Sequence, residues 1–246
     1  MPRPFQRRRH FLAIQAGGLS PLLTDLVSHW SLEEASGTRA DDYSTNNLTD
    51  NNTVTMQTGK VGNAAEFTAA NSESLSIADN AALSVTGSMS VAAWVYLASK
   101  PTVGTIVCKG DLEAAASIEY ALSYASGTDR FRFTAGNGTS FVTVTASNFG
   151  APSLDTWYYV VGWHETGVGL SISVNNGTAN TASHLVGIQN GAGAFRIGAD
   201  GVGARYWNGR IDQPLVAKRL WTADERTFLY NAGSGRSWSD VLAYRG

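Results

Sequence analysis

Apolar and polar residues alternate with a period of two along much of the chain. Segment 130–134, Arg-Phe-Arg-Phe-Thr, puts two phenylalanines on one side and two arginines on the other. Segment 141–145 is β-branched along most of its length, and segment 89–97 is apolar at nearly every position. Alternation predicts a half-buried strand, whereas a continuous apolar run predicts a strand buried on both faces. The pattern therefore predicts an all-β protein with 89–97 as a central strand.

Turn-forming residues separate these segments. Asn176-Gly177 follows the alternating segment 170–174, and Asn-Gly is the strongest short signal for a β-hairpin. Short strands at regular spacing, with turns between them, predict an antiparallel sandwich or barrel. One short helix is predicted near the C-terminus, where Thr222 and Glu225 fit a capping box and Gly233 is placed to end the helix.

The composition agrees with this prediction. The chain has 246 residues, of which 15% are charged and 26 are glycine. A charged share of about 25% is typical of soluble domains, so here Ser, Thr, Asn and Gly supply much of the polar surface. Cys108 is the single cysteine, which excludes an intramolecular disulfide and a thiolate metal site. The net charge of −2 gives no overall attraction to nucleic acid, so a nucleic-acid partner is not expected.

Three segments are predicted: a basic N-terminal arm (1–24), a β-domain (25–235) and a polar C-terminal tail (236–246). The residues expected to attach the arm to an assembly are Arg3, Phe5, Arg7, Arg8, Arg9 and Phe11. Residues 8–12 also resemble a twin-arginine export signal, but no convincing cleavage site follows them. A segment folded back on its own domain is the third interpretation. No apolar run approaches the ~18 residues needed to cross a bilayer.

Several segments resemble, in the same order, the laminin-G-like members of the concanavalin A-like lectin/glucanase superfamily. They are residues 26–39, 59–67, 74–77, 89–96, 155–160, 208–212 and 220–230. The resemblance implies an antiparallel β-sandwich jelly roll with one short C-terminal helix, here preceded by an extended arm. Compact chains with a short arm before one such domain resemble those encoded by bacteriophages and found in environmental sequences. Because this fold carries lectins, adhesins, hydrolases and structural modules, it does not by itself define a function.

Catalysis is not expected. Glycoside hydrolysis needs two carboxyl groups close together, and the hydrolases of this superfamily usually carry them on one strand as Glu-x-Asp-x-(x)-Glu, a run that is absent here. Glu33 and Glu34 are adjacent and would point to opposite sides of a strand. Glu113, Glu119 and Glu165 are isolated in the sequence.

The resemblance also implies a calcium ion, held by an Asp after the first strand and an Asp near the last strand. These positions match Asp41 and Asp212, and carboxylate oxygens suit calcium. The loop after Asp41 lacks the usual glycines, however. In the alternative interpretation Asp41 caps a turn and Asp212 forms an ion pair with an arginine such as Arg210.

A glycan site needs an exposed aromatic side chain with a few polar groups beside it. The candidates are Tyr43, Arg205, Tyr206, Trp207 and Asn208, all in predicted loops. In the alternative interpretation Trp207 is a core residue.

These observations predict a non-catalytic attachment or display protein, a component of a virion or other surface assembly. In that hypothesis the arm binds other protein subunits, in a homo-oligomer or on a capsid or tail protein, and the loops bind cell-surface glycans. Its location would be the virion or the extracellular space, and no membrane partner is expected. The alternative is a stand-alone carbohydrate-binding protein.

Overall fold

The computed structural model describes residues 18–246 of the chain. The predicted arm residues Arg3, Phe5, Arg7, Arg8, Arg9 and Phe11 lie outside the described residues. Residues 18–246 form fifteen strands and two α-helices. The strands are β1 (Leu26–His29), β2 (Thr49–Asn51), β3 (Thr55–Thr58), β4 (Asn63–Phe67), β5 (Ser74–Ile77), β6 (Met89–Leu97), β7 (Val103–Lys109), β8 (Tyr120–Ala125), β9 (Arg130–Gly136), β10 (Phe141–Thr145), β11 (Trp157–Glu165), β12 (Gly169–Val174), β13 (Asn180–Ala182), β14 (Phe195–Ile197) and β15 (Gly209–Ala217); the helices are α1 (Ala223–Tyr230) and α2 (Trp238–Ala243).

The strands form two antiparallel sheets that pack face to face. Sheet A has the order β13-β12-β11-β6-β15-β4-β3, with β1 also paired to β15. Sheet B has the order β10-β9-β8-β7-β14-β5-β2. The sequence-based prediction of an all-β antiparallel jelly roll is confirmed. No helix within residues 18–246 is long and apolar enough to cross a membrane.

The main hydrophobic core fills the space between the sheets. Phe131 and Phe133 of β9 contribute to it from sheet B, and Val91, Ala93 and Val95 of β6 contribute from sheet A. The intervening residues of β6 are also buried, because a second cluster covers the outer face of sheet A. The prediction that segment 89–97 is buried on both faces is therefore confirmed.

The second cluster contains both ends of the described chain. Leu22, in a 3₁₀ turn at Pro21–Leu23, is only 1% exposed, and Val241 of α2 packs into the same cluster. The Arg219 side chain donates hydrogen bonds to the carbonyls of Pro21 and Thr24. Residues assigned from the sequence to the end of an arm and to a polar tail thus belong to the sandwich. The tail also forms a helix, because Ser237 and Asp240 make a second capping box.

Two local predictions differ in detail from the structure. In the hairpin between β12 and β13, the two left-handed turn residues are Asn175 and Asn176, with φ of 52° and 54°, rather than Asn176 and Gly177. The amide of Gly177 closes the turn by donating to the carbonyl of Val174. Helix α1 begins at the predicted capping box, but its C-cap is Asn231 at φ 49° rather than Gly233. Asparagine tolerates the left-handed region better than other non-glycine residues, which explains both shifts.

A charged group is buried at the end of β7. Lys109 is fully buried, and its Nζ lies 2.9 Å from Glu119 Oε1 and 2.6 Å from Asp79 Oδ1. The ammonium group also donates to the carbonyl of Gly193. Burial raises the pKa of Glu119 above its ordinary value even though Lys109 lowers it. The ammonium group therefore compensates a carboxylate that burial alone would destabilise.

Candidate functional site

The outer face of sheet B carries a band of polar side chains. Because Phe131 and Phe133 point into the core, Arg132 and Thr134 point away from it. Arg132 lies opposite Ser123 of β8, and Ser123 lies opposite Thr105 of β7. Polar residues of three neighbouring strands therefore share this face.

A cleft of about 360 Å³ opens on this face. Its lining residues are Leu112, Glu113, Arg132, Thr134, Phe141 and Thr143. The ring of Phe141 is 40% exposed, and the hydroxyls of Thr134 and Thr143 lie 2.8 Å apart in a hydrogen bond. An exposed aromatic ring beside a guanidinium and hydroxyl groups is the combination that a small polar ligand with an apolar face requires.

Two other clefts have similar volumes. One, of about 440 Å³, is lined by Asn148, Phe149, Val174, Gly177 and Thr178, and it has no charged side chain. The other, of about 320 Å³, lies along β12 and β13; Glu165 supplies its only charge and no aromatic ring lines it. The cleft beside Arg132 is the one of these three that combines an aromatic ring with charged side chains, so it is the candidate site.

Arg205 forms ion pairs with three carboxylates at the margin of the cleft. Its guanidinium pairs with Asp200, lies 3.2 Å from Asp111 Oδ1 and lies 2.6 Å from Glu113 Oε2. The hydrogen bond from Arg205 lowers the pKa of Glu113. In return, the hydrogen bond to Glu113, followed by that to Asp200, raises the pKa of Arg205. Arg205 therefore fixes the loop residues 111–113 against the loop that follows β14.

The residues predicted for glycan binding do not form one site. Trp207 is 0% exposed in the core between the sheets, so it offers no exposed platform and the alternative interpretation of it as a core residue is the correct one. The hydroxyl of half-buried Tyr206 donates to the carbonyl of Gly203 at 2.6 Å, and the Asn208 side chain accepts from the amide of Ala69.

Tyr43 lies on the opposite side of the sandwich. Its ring contacts Trp238 of α2 edge-on, and its hydroxyl donates to the carbonyl of Leu23. Sequence reasoning missed Arg132 and Phe141 as site residues. The alternation Arg-Phe-Arg-Phe indicated that Arg132 faces outward, but it carried no information on which residues border it.

Asp41 caps a turn, as the second interpretation of this residue expected. Its carboxylate accepts hydrogen bonds from four backbone amides, those of His29, Tyr43, Ser44 and Asn46, and from the Ser44 hydroxyl. These donors saturate the carboxylate, so Asp41 does not fit the expected calcium site.

Asp212 has a free oxygen. Its Oδ2 accepts from the amides of Lys60 and Val61, each at 2.8 Å, whereas its buried Oδ1 has no hydrogen-bond partner in the part of the chain that the structure describes. Burial raises the pKa of Asp212 to about 8. The expected ion pair with Arg210 is not formed, because Arg210 lies 3.5 Å from Glu66 instead.

Glu33 contacts the same turn as Asp212. Its Oε2 accepts from the amide of Asn63 at 2.9 Å, and its negative charge adds to the rise in the pKa of Asp212. Within residues 18–246 no group of three or more His, Cys, Asp or Glu side chains could hold a metal ion. Glu33 is the second carboxylate bound to this turn and would be the other acidic ligand of a cation at Asp212, and carboxylate oxygens suit Ca²⁺.

The two packed antiparallel sheets define a lectin-like β-sandwich fold. Residues 67–225 match the model of the concanavalin A-like lectin/glucanases superfamily. The chain belongs to this superfamily, as its sequence segments suggested. No curated protein matches the chain significantly.

Several solved structures share the fold. Domain 4 of AbnA, an extracellular arabinanase from Geobacillus stearothermophilus solved with arabinotriose, is 14% identical with a TM-score of 0.62; the match covers 86% of this chain and 98% of that one. The binding domain of Paraclostridial Mosquitocidal Protein 1 is 13% identical with a TM-score of 0.67, covering 86% of this chain and 53% of that one. Trypanosoma rangeli sialidase in complex with sialic acid is 17% identical with a TM-score of 0.60, covering 87% of this chain and 34% of the sialidase. At these identities the likeness establishes the fold alone.

Proposed function

We propose that this protein is a non-catalytic carbohydrate-binding protein and that the cleft beside Arg132 and Phe141 is its glycan site. The observation that carries the proposal is the combination, in one cleft, of a 40% exposed aromatic ring, a guanidinium group and two threonine hydroxyls. Apolar faces of sugar rings pack on aromatic rings, and hydroxyl and charged groups then orient the ring. The superfamily, and the arabinotriose complex of the arabinanase domain, support this class of ligand.

The lining of the cleft supports binding rather than hydrolysis. Glu113 is the single carboxyl group among the six lining residues, whereas glycoside hydrolysis ordinarily needs two carboxyl groups on either side of the scissile bond. The bond to Arg205 also keeps Glu113 ionised by lowering its pKa, which is the opposite of what a general acid requires.

We expect Phe141→Ala to weaken glycan binding by about five- to thirtyfold, because it removes the exposed ring against which a sugar would pack. The measurement is a glycan array with the full chain, followed by calorimetric titration of the best ligand with wild type and variant.

The matched control is Tyr43→Ala, which removes a similarly exposed aromatic ring on the opposite side of the sandwich, one that the sequence analysis had named as a glycan-binding candidate. The control should bind as the wild type does. Loss of binding in Tyr43→Ala, with full binding in Phe141→Ala, would move the glycan site to the loop around Tyr43 and contradict the proposal.

We also infer a calcium ion at Asp212 and Glu33, in place of the pair Asp41 and Asp212 that the sequence suggested. The inference is supported by the buried Oδ1 of Asp212, which has no partner among residues 18–246, and by the carboxylate of Glu33, which accepts a hydrogen bond from the same turn.

Attachment to a virion or other surface assembly is a second proposed role. It is supported by the sequence of the N-terminal segment, in which four arginines and two phenylalanines fall within eleven residues. In this role the segment binds other protein subunits while the sandwich binds cell-surface glycans, and the protein acts on the virion or outside the cell.

The expected result is that the full chain forms a defined oligomer, whereas a chain beginning at Gly18 is a folded monomer. Native mass and sedimentation measurements on both would test it. The truncation starts at Gly18 rather than Asp25 because Leu22 is buried in the sandwich. If both chains are monomers, the segment has no role in self-assembly. If isolated virions capture the full and the shortened chain equally, the segment has no role in attachment to them.

A further inference from the structure

Arg132 is a partly buried cation without a partner in the part of the chain that the structure describes. It lies in the middle of β9 on the outer face of sheet B, and its Nε is buried with no hydrogen-bond acceptor. It forms none of the ion pairs found within residues 18–246. Burial lowers the pKa of its guanidinium below the ordinary value. Because partly buried arginines are normally paired, this one requires an explanation.

The neighbouring carboxylates accept hydrogen bonds from Arg205 rather than from Arg132, and only the negative charge of Glu113 opposes the lowering of the Arg132 pKa by burial. Asp111, Glu113 and Asp200 all bond to the guanidinium of Arg205. Glu113 lines the same cleft as Arg132, but its bond of 2.6 Å goes to Arg205. All three carboxylates therefore pair with Arg205, whereas Arg132 faces the cleft without an ion-pair partner among residues 18–246.

Two further polar side chains in register with Arg132 lack partners. Ser123 and Thr105 are fully buried, and neither Ser123 Oγ nor Thr105 Oγ1 has a hydrogen-bond partner within residues 18–246. With neighbouring strands about 4.8 Å apart, the row Arg132, Ser123 and Thr105 extends roughly 10 Å across sheet B. Of these three residues Arg132 is the one that lines the cleft, whereas Ser123 and Thr105 are covered.

We propose that the cleft takes an acidic sugar and that Arg132 binds the sugar carboxylate. This inference rests on the proposed glycan-binding function and narrows its ligand to carbohydrates bearing a sugar acid. A guanidinium offers two parallel N–H donors to a carboxylate, which matches a planar anion and excludes a neutral hydroxymethyl group from the same geometry. Phe141 and Leu112 then contact the apolar side of the ring, and Thr143 lies beside its hydroxyls.

The experiment compares matched acidic and neutral sugars on the full chain. The probes are sialyllactose against lactose, and trigalacturonate against its methyl ester, titrated by calorimetry at low and high salt. We expect the acidic member of the pair that fits the cleft to bind about ten- to a hundredfold more tightly than its neutral partner, the range of one charge-assisted contact. The preference should shrink as salt rises.

The variant Arg132→Gln should remove this preference, because it weakens binding of the acidic sugar much more than binding of its neutral partner, and Arg132→Lys should recover part of the preference. The matched control is Arg130→Gln, two residues away on the same strand, because Arg130 already donates to the carbonyls of Thr128 and Asp129. Thermal melting of each variant identifies any loss that comes from unfolding.

The outcomes separate the two proposals. Equal binding of acidic and neutral sugars, or a preference that survives in Arg132→Gln, overturns the assignment of Arg132 and leaves the glycan-binding function standing. Binding of a sulfated sugar in preference to every carboxylated one also overturns the sugar-acid assignment. Binding of no sugar overturns the proposed function itself.

Discussion

Lys109→Met is expected to lower the free energy of unfolding by about 3–5 kcal/mol, the usual result of removing one partner of a buried ion pair. The substitution keeps the length of the side chain but leaves Glu119 buried without its cation. Burial already raises the pKa of Glu119, so the carboxyl would become protonated and lose its charge-assisted contacts. Since domains of this kind are stable by about 5–15 kcal/mol, the variant would lose a large fraction of its stability.

Urea unfolding of the wild type and three variants measures this effect. Lys100→Ala is the surface control, because Lys100 and Asp129 are both about one-third exposed, and it should cost about 0–1 kcal/mol. The double variant Lys109→Met with Glu119→Gln removes both charges and should recover much of the loss. If Lys109→Met is as stable as Lys100→Ala, the buried ion pair contributes nothing to the free energy of unfolding.

Calcium should raise the stability of this protein by about 2.7 kcal/mol at a free concentration one hundredfold above its dissociation constant. The cation would offset the cost of an ionised Asp212, which is buried with a free Oδ1. Thermal unfolding with added CaCl₂, and with a chelator, gives the shift directly. Asp212→Asn keeps an oxygen for the amides of Lys60 and Val61 but should abolish the calcium-dependent shift.

Two further variants test which residues hold the ion. Glu33→Gln should weaken the calcium-dependent shift, because it removes the second carboxylate at the turn. Asp41→Asn should lower the stability at every calcium concentration and leave the shift intact, because Asp41 caps a turn. A shift that disappears in Asp41→Asn and persists in Asp212→Asn would restore Asp41 as the ligand and contradict the inference.

Local patterns predicted the local structure well. The continuous apolar run of residues 89–97 gave a strand buried on both faces, and the capping box at Thr222 and Glu225 gave the start of α1. The alternation of residues 130–134 correctly put the phenylalanines in the core. In each case the pattern spans only a few consecutive residues, so the local sequence was enough to predict the element.

The candidate sites could not be predicted in this way, because they depend on contacts between residues that are far apart in the sequence. Glu33 and Asp212 meet only because the turn at residues 59–63 binds both carboxylates. Thr105 is brought opposite Ser123 by a bulge in β7, which no alternation pattern specifies. Trp207 and its neighbour Tyr206 are both aromatic residues of one loop, and only the packing of the two sheets decides that the indole is in the core.

The burial of Leu22 and Val241 on sheet A has a practical consequence for display. A linker or surface joined at residue 18 or at residue 246 attaches to the back of the sandwich, while the cleft lies on the outer face of sheet B. Molecules immobilised at either of these two residues would therefore present every cleft on the side away from the attachment. An array of such molecules would combine weak individual contacts into strong binding to a polymeric glycan.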